Sequence, residues 1–139
     1  MEMIVTFPGG KRVNAQYKEF TIRTDQSIAN NGEASAPAPF DLFLASLATC
    51  AGIYVLEFCQ HRSIPTEHMR LIQKTERNGE TKMIEKISIE IVVPPEFPAK
   101  YRDAIIRAAQ LCSVKKHLVQ PPEFSISVNM EEANLESTE

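Results

Sequence analysis

Hydrophobic and polar residues alternate from Met1 to Phe7, break at Pro8-Gly9-Gly10, and resume through Val13, Ala15 and Tyr17 to Phe20 and Ile22. A period of two belongs to a half-buried strand, and Pro-Gly-Gly is a turn signal. The pattern predicts an antiparallel meander of Met1–Phe7, Lys11–Gln16 and Glu19–Thr24. Asp25 to Pro39 is a polar loop rich in Asn, Ser, Ala and Pro. Loops of that length tend to be functional or to cross to a partner. The period then disappears. From Phe40 to Cys59 only Asp41, Ser46, Thr49 and Glu57 are clearly polar, with Gly52 neutral. A helix apolar on nearly every side is expected to be buried on nearly every side. Pro39 suits its first turn, Asp41 suits the dipole at that end, and Ser63-Ile64-Pro65 stops it.

Alternation returns in Met69–Arg77 and Met83–Val93, two runs either side of Asn78-Gly79. Asn-Gly between such runs is a strong hairpin signal. Pro94-Pro95 and Pro98 end the second run. Ala99 to Leu111 reads as an amphipathic helix with Tyr101, Ile105, Ala108 and Ala109 on its apolar stripe. Cys112 to Leu118 is a continuation or a separate short helix, and Pro121-Pro122 stops it. Phe124–Met130 alternates again and predicts a last strand, and the acidic residues 131–139 predict a frayed tail. The order β-β-β-α-β-β-α-α-β argues an α+β fold with mainly antiparallel sheets around a long buried central helix. The 139 residues suit one domain, 1–139.

Bulk properties narrow the function. The hydrophobic run is long enough to span a bilayer, but Asp41 and Glu57 lie inside it and no basic cluster flanks it, so a buried helix is the better reading and no membrane partner is expected. A net charge of -3 gives no electrostatic reason to expect nucleic acid. Met1 leads directly into strand-like sequence without a basic and then apolar leader, which points to the cytoplasm. Stable disulfides are rare there, so cysteines are expected to be ligands, reactive groups or packing. Cys50, Cys59 and Cys112 form no CxxC pair, and His61, His68 and His117 are scattered, so neither a metal site nor a cofactor is expected.

Cys50 sits in the middle of the apolar helix. Free cysteine is often plain packing. Ser46 and Glu57, however, fall on the same face as Cys50 and suggest a polar seam. Cys59 lies about half a turn round and reads as packing. Cys112 precedes Ser113-Val114-Lys115-Lys116-His117. If it opens a helix, free N–H groups there would favour a thiolate, while Lys115 and Lys116 read individually as solvated. Two reactive cysteines distant in sequence suggest a dithiol cycle. One thiolate takes an oxygen from a peroxide, and the second condenses with the sulfenic acid to a disulfide that an external thiol reduces. Apolar neighbours such as Phe43, Leu47, Ile53 and Tyr54 favour an organic hydroperoxide over hydrogen peroxide.

The segment APAPFDLFLASLATCAGIYV, followed by LCSVKKHL and PPEFSISV, resembles the OsmC/Ohr family of thiol peroxidases. The resemblance runs from Met3 to Met130. It implies an OsmC-like fold in an intertwined homodimer with two active sites at the interface. It implies Cys50 as the peroxidatic and Cys112 as the resolving cysteine. It also implies an arginine from the N-terminal strand–turn region beside the reactive thiolate; Arg12 fits, with Lys11 as a competing match. The family's glutamate directly after the loop proline is here Phe40, with Asp41 one residue later. The expected function is therefore thiol-dependent reduction of organic hydroperoxides by Cys50 and Cys112, with Arg12 and Asp41 in support. Its partners would be a second copy, an organic peroxide and an external thiol or dithiol. The alternatives are a protein of the same fold that binds a small hydrophobic or thiol ligand with little turnover, and a protein–protein adaptor whose thiols are inert.

Overall fold

The computed structural model describes residues 1–132. Three strands, β1 (Ile4–Gly9), β2 (Arg12–Tyr17) and β3 (Phe20–Thr24), form an antiparallel meander in that order. Val5 faces Ala15, and Ala15 faces Ile22. The Pro8-Gly9-Gly10 signal lies partly inside the ladder: the register shifts between Thr6 and Gly9, and Gly9 and Gly10 both take positive φ. These are conformations that glycine adopts without a Cβ penalty.

Asp25 closes the meander and organises the loop that follows. Its carboxylate is fully buried and accepts from the Ser35 hydroxyl and from the backbone N–H groups of Ser35, Glu33 and Gln26. The Asp25 N–H donates to Pro37 O at 3.2 Å, so the loop is tied at both ends before the long helix begins. The Ser35 hydroxyl, followed by the amides, holds the Asp25 pKa down at about 2.

The helix α1 (Pro39–Gln60) has the predicted extent. It is not buried on nearly every side. Leu47, Ala51, Val55 and Phe58, with Cys59, are its buried residues and mark one stripe, while Phe40 and Ile53 each remain 47% exposed. One chain supplies cover for one face: α1 packs on helix α2 (Arg102–Ala109), helix α3 (Ser113–Val119) and strand β4 (Arg70–Arg77). By length and composition α1 is also long and apolar enough to cross a membrane; within the chain it packs along one stripe only.

Strands β4 and β5 (Ile84–Val92) pair antiparallel, with Leu71 opposite Ile91 and Thr75 opposite Ile87. Their connection is not a two-residue Asn-Gly turn. Asn78 to Met83 form a wider loop in which the Asn78 side-chain oxygen accepts from the N–H groups of Glu80 and Thr81, and the left-handed position falls to Lys82 at φ 62°. Asparagine's own side chain captured the backbone and displaced the tighter turn. Val55, Phe58, Cys59 and Ile105 form the core, with Met69, Leu71, Ile91 and Phe97 packed around them. Burial of each large apolar side chain contributes about 1.5–3 kcal/mol. The Arg62 guanidinium closes the α1 end, lying 3.7 Å from the Phe58 ring centroid and donating to Phe58 O.

The predicted last strand does not form. Residues 121–132 have no regular structure, and Phe124, Ile126, Val128 and Met130 are 87–97% exposed. Alternation supplies a face, but a strand also needs a neighbour to complete its hydrogen bonds, and among the described residues none pairs with the segment. Of the tail expected to fray, Glu131 and Glu132 are exposed, and residues 133–139 lie outside the described residues. The architecture is α+β: two antiparallel sheets and one long helix.

Candidate functional site

The middle of α1 meets the start of α3, and this junction brings two of the three cysteines together. Cys50 faces outward from the buried stripe far enough to remain partly accessible. Cys112 is the residue before α3 and caps it: its Sγ accepts from the Lys115 N–H at 3.4 Å. Pro121-Pro122 stops α3 just beyond its end, and the N–H groups of Ser113 and Val114 in its first turn face Cys50 on α1.

The two thiols have opposite electrostatics. The Val114 N–H is the largest influence on Cys50; with the hydroxyl of Ser113, the thiol of Cys112 and the Ser113 N–H it outweighs burial and lowers the pKa to about 7. The Ser113 Oγ lies 3.6 Å from Cys50 Sγ. Burial pushes the Cys112 thiol up, and the neighbouring Cys50 pushes it further. Cys112 therefore keeps its proton while Cys50 gives its own up near neutrality. The sequence expectation placed the helix-opening N–H groups beneath a Cys112 thiolate; in the structure their main beneficiary is Cys50. The Cys112 cap meets the Lys115 and Val114 N–H groups but is dominated by burial, whereas the Cys50 side chain arriving from α1 meets the Val114 and Ser113 N–H groups of the first turn.

Cys59 is fully buried in the core, 3.9 Å from the Met69 sulfur, and burial raises its pKa. The face that carries Cys50 also carries Ser46 and Glu57, and it lies off the buried stripe of α1. The Ser46 hydroxyl donates to Phe43 O on its own helix, and Glu57 is exposed. Arg12 opens β2 and donates from Nε to Gly9 O at 3.2 Å; Lys11 is exposed in the turn before it. The Asp41 carboxylate accepts from the Ala38 N–H at 3.0 Å and ties down the first turn of α1. None of the groups that lower the Cys50 pKa is a cation. Lys116 and His117 are exposed, and His117 Nδ1 lies 2.7 Å from Ser113 O. Ser113 was not singled out by sequence; its signal was its place directly after a cysteine at a helix start.

Beside the thiols runs an open groove of about 1010 Å³ between α1, β5, α2 and α3. Leu47, Ala51, Ile89, Ile105 and Leu118 make it apolar, Cys112 lies in its wall, and Glu90, Arg102 and Lys115 give it polar margins. Pockets of this size and character accommodate small organic molecules. Among the described residues no three His, Cys, Asp or Glu side chains are grouped to hold a metal ion.

The family model for OsmC-like proteins matches residues 32–127, a span that includes both α1 and Cys112. The chain belongs to the OsmC-like protein family. The fold agrees with solved OsmC-like structures at low identity. A candidate osmotic stress induced and detoxification response protein from Psychrobacter arcticus 273-4 is 23% identical, with a TM-score of 0.69 over 82% of this chain and 85% of that one. An OsmC-like protein from Mycoplasma pneumoniae is 14% identical, with a TM-score of 0.65 over 85% and 86%. An organic hydroperoxide resistance protein OsmC from Legionella pneumophila is 15% identical, with a TM-score of 0.54 over 85% and 89%. At these identities the likeness is one of fold. No curated protein matches the chain.

Proposed function

We propose that this OsmC-like protein reduces organic hydroperoxides with two cysteines, Cys50 attacking and Cys112 resolving. The observation that carries the reading is the junction itself: two thiols close enough to shift one another, in opposite directions, at the edge of an apolar groove. With a pKa of about 7, Cys50 is about half thiolate at neutral pH. The thiolate attacks the distal oxygen of ROOH, the O–O bond breaks, Cys50 becomes the sulfenic acid and RO⁻ leaves. Cys112 still holds its proton and can pass it to RO⁻, giving ROH and a Cys112 thiolate. That thiolate attacks Cys50 sulfur, the S–O bond breaks, and hydroxide leaves as water after protonation. An external thiol or dithiol then supplies the two electrons that reopen the disulfide. The groove would take the organic part of the peroxide.

A second copy of the chain belongs to this reading. β1 is exposed along its length, Phe7 is 81% and Phe20 57% exposed, and one face of α1 and the apolar residues after Pro122 lack cover. Apolar surface on this scale marks an interface. Such a partner could bring Arg12 and Asp41 to a thiol site, the supporting role the family resemblance implies. The working location remains the cytoplasm.

The test is mass spectrometry of the reduced protein after one equivalent of cumene hydroperoxide. The expected product has lost two hydrogens and yields a peptide linking Cys50 to Cys112. Recovery of both as free thiols, with the peroxide unconsumed, would refute the proposal. The second reading, a binding protein for a small hydrophobic or thiol ligand with little turnover, draws on the groove and on the absence of a cation among the groups that lower Cys50.

A further inference from the structure

The two thiols are chemically alike and share one junction, so something local must decide which attacks. We propose that the Ser113 hydroxyl is a positioning group that favours Cys50 as the attacking thiol and leaves Cys112 to act second. The inference rests on the dithiol reading above. Ser113 Oγ is 3.6 Å from Cys50 Sγ, and either atom can donate while Cys50 carries its proton. Once Cys50 ionises, sulfur has no hydrogen to give, and the serine must be the donor. The contact therefore turns into a charge-assisted hydrogen bond only in the thiolate, and it stabilises that state selectively. Cys112 has no hydroxyl partner: its sulfur meets the Lys115 N–H at 3.4 Å, the Val114 N–H and the Cys50 thiol, and it is only 3% exposed.

The surrounding groups leave this role to Ser113 and its backbone neighbours. Cys112 is the titratable group whose proximity affects Cys50. Lys115 lines the groove on the Cys112 side, Lys116 is exposed, and His117 is engaged with Ser113 O. On α1 itself, Glu57 is exposed; on α2, Arg102 lies at the groove margin and Arg107 is exposed. The Val114 and Ser113 amides also face Cys50, but they belong to the backbone and survive any side-chain change. Ser113 is the part that substitution can remove. It is exposed and follows the capping residue, so alanine there should not disturb folding.

The experiment follows alkylation of each cysteine by iodoacetamide across pH, with the full-length reduced protein and no peroxide, each site quantified by peptide mass spectrometry. Wild type should show a Cys50 midpoint near 7. Ser113→Ala should raise it, slow Cys50 alkylation at pH 7 by about three- to tenfold, and lower the Cys50-to-Cys112 labelling ratio by the same factor. Ser113→Thr, which keeps the hydroxyl, should restore both readouts. A hydroxyl that served only the start of α3 would alter melting and leave the midpoint unmoved. A low midpoint that persists in Ser113→Ala overturns this inference and leaves the dithiol reading standing. A wild-type Cys50 midpoint at the free value of about 8.5 overturns the dithiol reading itself.

Discussion

Asp25 and Cys50 are two acids treated in the same way to different ends. Each anion is met by backbone N–H groups and by one serine hydroxyl, Ser35 for Asp25 and Ser113 for Cys50. Asp25 has no exposure and is surrounded by donors from its own loop, three of them backbone amides. Its pKa falls to about 2, so it is ionised at every ordinary pH, and its hydrogen bonds hold the shape of the loop. Cys50 is met from one side by α3, stays partly accessible, and settles at about 7. A closed cage makes a structural anion, and a half-open one makes an anion that can still react.

The contrast can be broken most strongly at the open cage. Cys50→Ser should lower peroxide removal by at least about a hundredfold, measured with a dithiol reductant, while the melting curve barely moves. Retained activity would show that the half-open site is not the reactive one. At the closed cage the expected pattern reverses. Asp25→Asn should leave Cys50 alkylation near its wild-type rate in the folded protein and lower the melting temperature. Its pH dependence follows from the direction of the shift. The native carboxyl has the lower pKa, so its contribution is complete above the ordinary value of 3.8 and is lost as pH falls toward about 2. Acid titration of stability should therefore be flatter in Asp25→Asn across that window. The smallest expected effect is at Cys59, which has neither cage nor access. Cys59→Ala should cost about 1–2 kcal/mol in denaturant unfolding and leave the peroxide reaction unchanged. A loss of turnover there would mean that a third thiol enters the cycle.

Sequence carried the elements whose signals are local. Pro39 and Asp41 marked the start of α1, Pro65 lies just past its end, and the alternation of Ile87, Ile89 and Ile91 marked β5. It failed where the outcome depends on a neighbour. Phe124–Met130 has the period of a strand but no pairing edge among the described residues, and α1 has the composition of a fully buried helix but cover on one stripe. At the site, Cys50 and Cys112 stood out by position, and Cys59 was assigned to packing by its angle on the helix. The division of labour at the α3 start was not legible. It depends on how each sulfur meets the N–H groups of that first turn and on its burial there, a relation between α1 and α3 that no spacing within either segment encodes.

Were a second copy of the chain to cover the exposed strand β1, folding would be tied to mass action. Residues that hide from water only against another molecule contribute nothing to an isolated chain, so their share of the free energy scales with how often two molecules meet. For a protein built this way, dilution and destabilisation are one event. A reaction centre beside such a seam would fade as the population thins, before any single polypeptide has unravelled.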